Sequence, residues 1–192
     1  MDVLRRGGVV AYPTDTLYGL AVDPASEAAL DRLFQVKERE RDRAVPLIAA
    51  TVEQACAAAH LTEGDLRLAR TFWPGPLALV VRARAALSRH AIAADGTVAV
   101  RVPDHPIARG LAASFGACIT ATSANLSGAP PTASAAEVAA SLGTRIDLVL
   151  DGGDAPGGPP STMVALGRGG PRLVRAGAIA WERVLESLEE RP

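Results

Sequence analysis

Gly8-Val9-Val10-Ala11-Tyr12-Pro13-Thr14-Asp15-Thr16-Leu17-Tyr18-Gly19-Leu20-Ala21-Val22 is the stretch on which the fold turns. Its opening apolar run predicts a short buried strand, and Pro13 stops it. A polar loop, Thr14 to Tyr18, then leads into a second apolar run at Leu20 to Val22. Polar side chains are thereby gathered at a strand end, where open α/β sheets usually hold their ligands.

Beyond this stretch the period changes. After Ser26, a predicted N-cap, Leu30, Leu33, Phe34 and the aliphatic stem of Lys37 recur at helical spacing. The helix delivers Lys37 at its C-terminal end. Lys37-Glu38-Arg39-Glu40-Arg41-Asp42-Arg43 then alternates in sign, and an extended backbone places its cations on one side. Pro46 to Ala50 predicts a strand, and Thr51 with Gln54 matches a capping box at the next helix start. Thr62 caps a helix carrying Leu66, Ala69 and Phe72, which Trp73-Pro74-Gly75-Pro76 breaks. Leu77 to Val81 is a continuous apolar strand buried on both faces. Thr97 to Val102 and Ala117 to Ala121 are further strands around a helix running from Pro106 to Gly116.

Ser134 and Glu137 give another capping box, Gly143 ends that helix, and Ile146 to Leu150 returns as a strand. The Gly/Pro-rich segment from Asp151 to Pro160 predicts a mobile loop or lid. Strands at Ser161 to Leu166 and Arg172 to Arg175 and a helix from Trp181 to Leu188 complete the chain. Strands and helices interleave without strict βαβ regularity and without an internal repeat. The expected fold is therefore α/β: a single domain over residues 1–192, with a twisted, mostly mixed β-sheet flanked by helices.

With 192 residues, 48% hydrophobic and 21% charged, the composition is that of a globular protein with one substantial core. No apolar run reaches the roughly 18 residues of a membrane span. The N-terminus shows no apolar leader, so the cytoplasm is the expected location. Cys56 and Cys118, far apart with apolar neighbours, read as reduced thiols. His60, His90 and His105 lack ligand spacing, so no protein-built metal site is expected. The net charge of −1 gives no global field for a nucleic-acid backbone. Yet of the 20 basic residues all but Lys37 are Arg, which marks that position as wanting a compact, flexible ammonium.

No G-x-x-x-x-G-K-[ST], G-x-G-x-x-G or G-x-S-x-G pattern occurs, which excludes P-loop, Rossmann and serine-hydrolase chemistry of the usual kind. What remains lies at strand ends: Thr14-Asp15-Thr16, Lys37-x-Arg39, Thr97, Arg101, Thr122-Ser123-Ala124-Asn125, Ser161-Thr162 and Arg175. Hydroxyls and an amide supply recognition, and Lys and Arg supply charge for phosphate.

These segments, in this order, resemble the YrdC/TsaC family of L-threonylcarbamoyl-AMP synthases. The likeness rests on Ala11 to Leu20, Lys37-x-Arg39, Trp73-Pro74-Gly75-Pro76-Leu77 and Val100 to Pro106. It continues through Thr122 to Gly128, then Ser161-Thr162 with Leu173-Val174-Arg175-Ala176-Gly177. The resemblance implies a YrdC-like fold with a concave ligand cleft and a nucleotidyltransferase that joins L-threonine, bicarbonate and ATP into threonylcarbamoyl-AMP and pyrophosphate. Mg²⁺ would arrive with ATP. The product would feed a downstream threonylcarbamoyltransferase complex that modifies the tRNA adenosine beside the anticodon, met transiently, with any direct tRNA binding weak.

By the same resemblance Lys37, Arg39, Ser123 and Asn125 form a polar tetrad around the ATP phosphates, and Thr97 and Arg175 also contact nucleotide. Thr16, Arg101, Ser161 and the backbone at Ala121 hold threonine. The sequence departs from the family at Glu40, where many members have Pro, and at Ala49-Ala50, where many have His. It also ends without the further domain of longer members, so regulation by closure of that domain is not expected. Other readings of the same residues are a solvated charge run for Arg39, Arg41 and Arg43, a plain turn for Ser123 and Asn125, a surface position for Arg101, and a non-catalytic RNA-binding module for the whole.

Overall fold

A computed structural model describes residues 1–39, 44–167 and 169–189. Glu40 to Arg43, and with them the expected one-sided row of cations, lie outside the described residues. In chain order the elements are α1 (Asp2–Arg5), β1 (Val10–Tyr12), β2 (Gly19–Ala21), α2 (Glu27–Lys37), β3 (Leu47–Ile48), α3 (Val52–Ala58), β4 (Ala59–His60), α4 (Glu63–Phe72) and β5 (Leu77–Ala83). There follow β6 (Thr97–Arg101), α5 (Pro106–Phe115), β7 (Ile119–Thr120), β8 (Thr122–Ser123), α6 (Ala135–Leu142), β9 (Leu148–Val149), β10 (Thr162–Gly167), β11 (Gly170–Arg175) and α7 (Trp181–Glu189).

Local chemistry sets the helix boundaries. Ser26 accepts from the Ala29 N–H at 3.2 Å and starts α2, a cap of the kind that contributes about 1 kcal/mol. Thr62 and Asp65 satisfy each other's backbone N–H groups, a reciprocal capping box on α4. At α3 and α6 the cap hydroxyls accept as expected, but Gln54 and Glu137 reach one residue further back, to the N–H of Ala50 and Ala133. Helix α2 ends where Glu38 takes a left-handed conformation, turning the chain just after Lys37.

The mixed α/β architecture with flanking helices agrees with the sequence. Its strands divide between a four-stranded sheet, β8-β2-β1-β9, and a seven-stranded sheet, β11-β10-β5-β6-β3-β7 with β4 beside β5. Of the run Ala117 to Ala121, read as one strand, Ile119 and Thr120 form β7, which pairs with β3; β8 follows at Thr122 and pairs with β2, so the chain passes from one sheet to the other at Ala121. Thr120 fastens the crossing. Its hydroxyl donates to Leu20 O at 3.0 Å and accepts from Val22 N at 2.9 Å, while its carbonyl accepts from the buried Tyr12 hydroxyl at 2.9 Å.

Packing follows this division. One apolar cluster lies on the larger sheet with α4 and Val184 of α7, and a second joins β1 and β2 to α2 and α6. A third, with Val10, Tyr12, Ile48, Leu111 and Ile119, contains side chains from both sheets and α5. Burying side chains of this size contributes about 1.5–3 kcal/mol each, so this cluster fixes the sheets against each other. Among the described residues no helix is long and apolar enough to cross a membrane.

Candidate active site

Strand direction decides which polar residues meet. β5 and β10 are parallel, and β6 and β11 run antiparallel to their neighbours β5 and β10. The starts of β5 and β10 and the ends of β6 and β11 therefore share one end of the larger sheet. Arg101 closes β6, Arg175 closes β11, and Ser161 precedes β10. Facing them are the Thr14 to Gly19 loop and the segment from Ala121 to Asn125. Between the two walls lies a cleft of about 730 Å³, lined among others by Thr16, Arg39, Arg101, Ala121, Ser123, Asn125, Ser161 and Arg175. That size suits a small-molecule site.

Lys37 stands behind the first wall, 4% exposed, and its Nζ donates to the carbonyls of Ser123 at 2.5 Å and Asn125 at 2.7 Å. The sequence brought Lys37, Ser123 and Asn125 together through their side chains, whereas contact runs through the backbone. The ammonium is thus locked into the loop that forms the wall. Burial, and after it the neighbouring charge of Arg39, lowers the Lys37 pKa to about 8. Among the described residues no carboxylate pairs with it. Asn125 spends its Nδ2 on Leu126 O and Ala129 O, shaping the loop, and its buried Oδ1 has no protein partner. A buried acceptor left open in a cleft wall is a place for a ligand donor.

The opposite wall is differently built. Arg101 is 6% exposed and donates from Nη1 to Asp15 Oδ1 at 2.5 Å and Gly75 O at 3.4 Å, and from Nη2 to Thr14 Oγ1 at 3.4 Å. Arg175 donates from Nε and Nη2 to Ser161 O at 3.1 and 2.7 Å, and from Nη2 to Ser161 Oγ at 3.0 Å. Burial and the nearby charge of Arg101 hold the Arg175 pKa below the ordinary guanidinium range. Gly177 allows this arrangement. A Cβ there would meet Pro160 O at 2.2 Å and the Ser161 and Thr162 backbone at 2.5 Å.

One expectation needs correction. Thr97 starts β6 while Arg101 ends it, and at about 3.3 Å per residue they stand at opposite ends of the sheet. Thr97 bonds Asp95 and faces a separate depression of about 700 Å³ with Arg82 and Arg172. It does not line the cleft between the two walls. The Asp151 to Pro160 segment is a loop without helix or strand and touches the rim: Gly157 N donates to Thr16 O at 2.8 Å, Ala155 N to Ala133 O at 2.7 Å, and the Tyr18 hydroxyl to Gly153 O at 2.8 Å.

Asp15 entered the sequence reading only within Thr14-Asp15-Thr16 and received no role of its own, yet it pairs with Arg101. Its one visible signal was a carboxylate between two threonines at a strand end. Among the described residues no group of three or more His, Cys, Asp or Glu side chains could hold a metal ion, so the cleft offers a divalent cation no ready-made cage.

Fold and site define an α/β protein with a ligand cleft at the meeting of two sheets, walled by two separate sets of cations. The chain belongs to the Sua5/YciO/YrdC family, whose model, described as telomere recombination, matches residues 2–177. A protein of Pyrococcus abyssi named threonylcarbamoyl-AMP synthase is 37% identical over 188 residues, covering 97% of this chain and 55% of its own length. One of the same name from Vibrio vulnificus strain YJ016 is 41% identical over 155 residues, covering 79% of this chain and 83% of its own. The crystal structure of P. abyssi Sua5 complexed with L-threonine matches with a TM-score of 0.93 at 36% identity, over 98% of this chain and 56% of that one. The chain thus spans about half the length of the Pyrococcus proteins it matches.

Proposed function

We propose that this chain is an L-threonylcarbamoyladenylate synthase, a nucleotidyltransferase that forms threonylcarbamoyl-AMP and pyrophosphate from L-threonine, bicarbonate and ATP. The observation that carries the reading is one cleft with a cationic site on each wall, in a fold that matches the threonine complex of Sua5 closely. The threonine amine attacks the carbon of bicarbonate and water leaves, giving the N-carboxylate. An oxygen of that carbamate attacks the α-phosphorus of ATP and pyrophosphate departs. Neither step demands a strong base on the protein, so catalysis is positioning and charge compensation.

Lys37, Arg39, Ser123 and Asn125 serve the nucleotide. The Lys37 ammonium stiffens the Ser123-to-Asn125 loop and supplies positive potential, Arg39 lines the cleft, and the open Asn125 Oδ1, an acceptor, takes a hydrogen bond from a donor of the nucleotide such as a ribose hydroxyl and not from the phosphates. Mg²⁺ accompanying ATP would share the phosphate charge. Thr16, Arg101, Ser161 and the Ala121 backbone surround threonine, with the Arg101 guanidinium on its carboxylate. Arg175, bound to Ser161, stands between the two substrates and fixes the threonine wall while facing the nucleotide. The adenylate then passes to a transferase complex that modifies tRNA.

The test is product mass with isotopically labelled bicarbonate. The label must appear in threonylcarbamoyl-AMP, and pyrophosphate release must need threonine and bicarbonate together. Pyrophosphate release indifferent to threonine overturns the reading.

A further inference from the structure

Arg101 of the threonine wall forms a buried charge pair with Asp15, a carboxylate to which the proposed reaction gives no role. Asp15 and Arg101 have side chains 10% and 7% exposed, and Asp15 does not line the cleft, whereas Arg101 does. Removing two charges from water is expensive, and a buried ion pair usually returns little net stability. What such a pair fixes firmly is the orientation of a planar guanidinium.

The hydrogen bonds show which orientation is fixed. Nη1 of Arg101 is held on two sides, by Asp15 Oδ1 and by Gly75 O in the Trp73-Pro74-Gly75-Pro76 turn. Nη2 makes one long contact, to Thr14 Oγ1 at 3.4 Å, and among the described residues Nε makes no hydrogen bond. One corner of the guanidinium is therefore occupied and the Nε–Nη2 edge is left over. Those two nitrogens form the parallel donor pair that matches a carboxylate. The charges of Asp15 and Arg101 both act on the buried Tyr12 phenol, which places the pair within one low-dielectric region behind the cleft wall.

We infer that Asp15 is a positioning residue: it holds Nη1 of Arg101 so that the Nε–Nη2 edge faces the carboxylate of the amino-acid substrate. The inference rests on the reading of this cleft as a threonine site. It adds a source of selectivity. Because Asp15 compensates its charge, Arg101 recognises a carboxylate by the geometry of two donors, and the polyanionic triphosphate is left to the cations without a carboxylate partner among the described residues, Lys37 and Arg175.

The experiment is a double-mutant cycle on the full chain, with KM for L-threonine, KM for ATP and kcat measured for wild type, Asp15→Asn, Arg101→Gln and the double variant. Asp15→Asn should raise the threonine KM about tenfold while the ATP KM and kcat stay within about twofold, the profile of lost ground-state binding. On the Arg101→Gln background the same substitution should add less than about twofold, because both residues act as one unit. A fall in kcat at unchanged threonine KM, or equal losses on both backgrounds, overturns the inference. Should thermal unfolding show Asp15→Asn unable to fold, Arg101→Gln and the double variant carry the comparison, since neither keeps an unpaired arginine. Equal threonine KM values then support the inference and unequal ones overturn it. Product formation by wild type separates the two levels. An active wild type with an insensitive Asp15→Asn removes the inference alone, and a wild type that makes no adenylate removes the functional reading and the inference with it.

Discussion

The two walls of the cleft solve the problem of a buried cation in opposite ways. Lys37 is satisfied by neutral backbone carbonyls, so its charge stays uncompensated and its pKa falls to about 8. Arg101 is satisfied by the Asp15 carboxylate, so its charge is cancelled and its geometry fixed. An uncompensated charge in low dielectric attracts a polyanion strongly. A compensated, rigid guanidinium offers shape with little net field, which suits a zwitterion whose ammonium a bare cation would repel. Under the proposed function this difference assigns the amino acid to Arg101 and the nucleotide to Lys37, with Arg175, held like Lys37 by a neutral carbonyl, on the nucleotide's side of the same assignment.

Substitutions that break this contrast should have graded effects. Lys37→Ala removes the uncompensated charge and the clamp on the Ser123-to-Asn125 loop; kcat/KM measured by pyrophosphate release should fall about 10²–10³-fold, the range for a lost electrostatic stabiliser. Arg101→Ala should lower kcat/KM for threonine about thirtyfold, as expected for a lost charge-assisted bidentate contact, with ATP affinity by calorimetry within about threefold of wild type. A fall in ATP affinity as large as the threonine effect would erase the distinction between the walls.

Titration sharpens the comparison further. The folded Lys37 pKa, about 8, lies below the ordinary lysine value of 10.5, so the charged form prevails below about 8 and is lost above it. Affinity for the triphosphate should therefore decline as pH rises through 8, with the KM for ATP climbing several-fold, about as far as one lost phosphate contact allows. Lys37→Arg, always charged, should show no such rise. The stability term has the opposite sign. The cost of burying the charged ammonium is present below about 8 and is relieved between there and 10.5, so this group's contribution to stability improves as ATP binding weakens. At the small end, Thr97→Ala should change kcat/KM less than about twofold, in line with a residue outside the cleft.

Much of this was legible in the sequence because it is local. Apolar periodicity placed α2 and α4, Ser26 and Thr62 marked their starts, and Pro106 and Gly116 bounded α5, all through short-range hydrogen bonds and backbone preferences. Lys37 stood out by composition alone. What failed to show depended on the sheets. Thr97 and Arg101 sit at the two ends of one strand, and only the pairing of β6 with its neighbours reveals which of those ends meets the cleft. Ala117 to Ala121 reads as one strand and supplies β7, but nothing local shows that the next two residues, Thr122 and Ser123, pair in the other sheet. Asp15 and Arg101 are 86 positions apart, and no spacing rule links a carboxylate to a guanidinium over that distance.

The measurement closest to the central claim is a crystal structure of this chain with L-threonine and a non-hydrolysable ATP analogue. The account predicts the triphosphate along the Lys37–Ser123–Asn125 wall and the threonine carboxylate on the Nε–Nη2 edge of Arg101. Triphosphate seated on Arg101, or threonine against the Ser123-to-Asn125 loop, would contradict it.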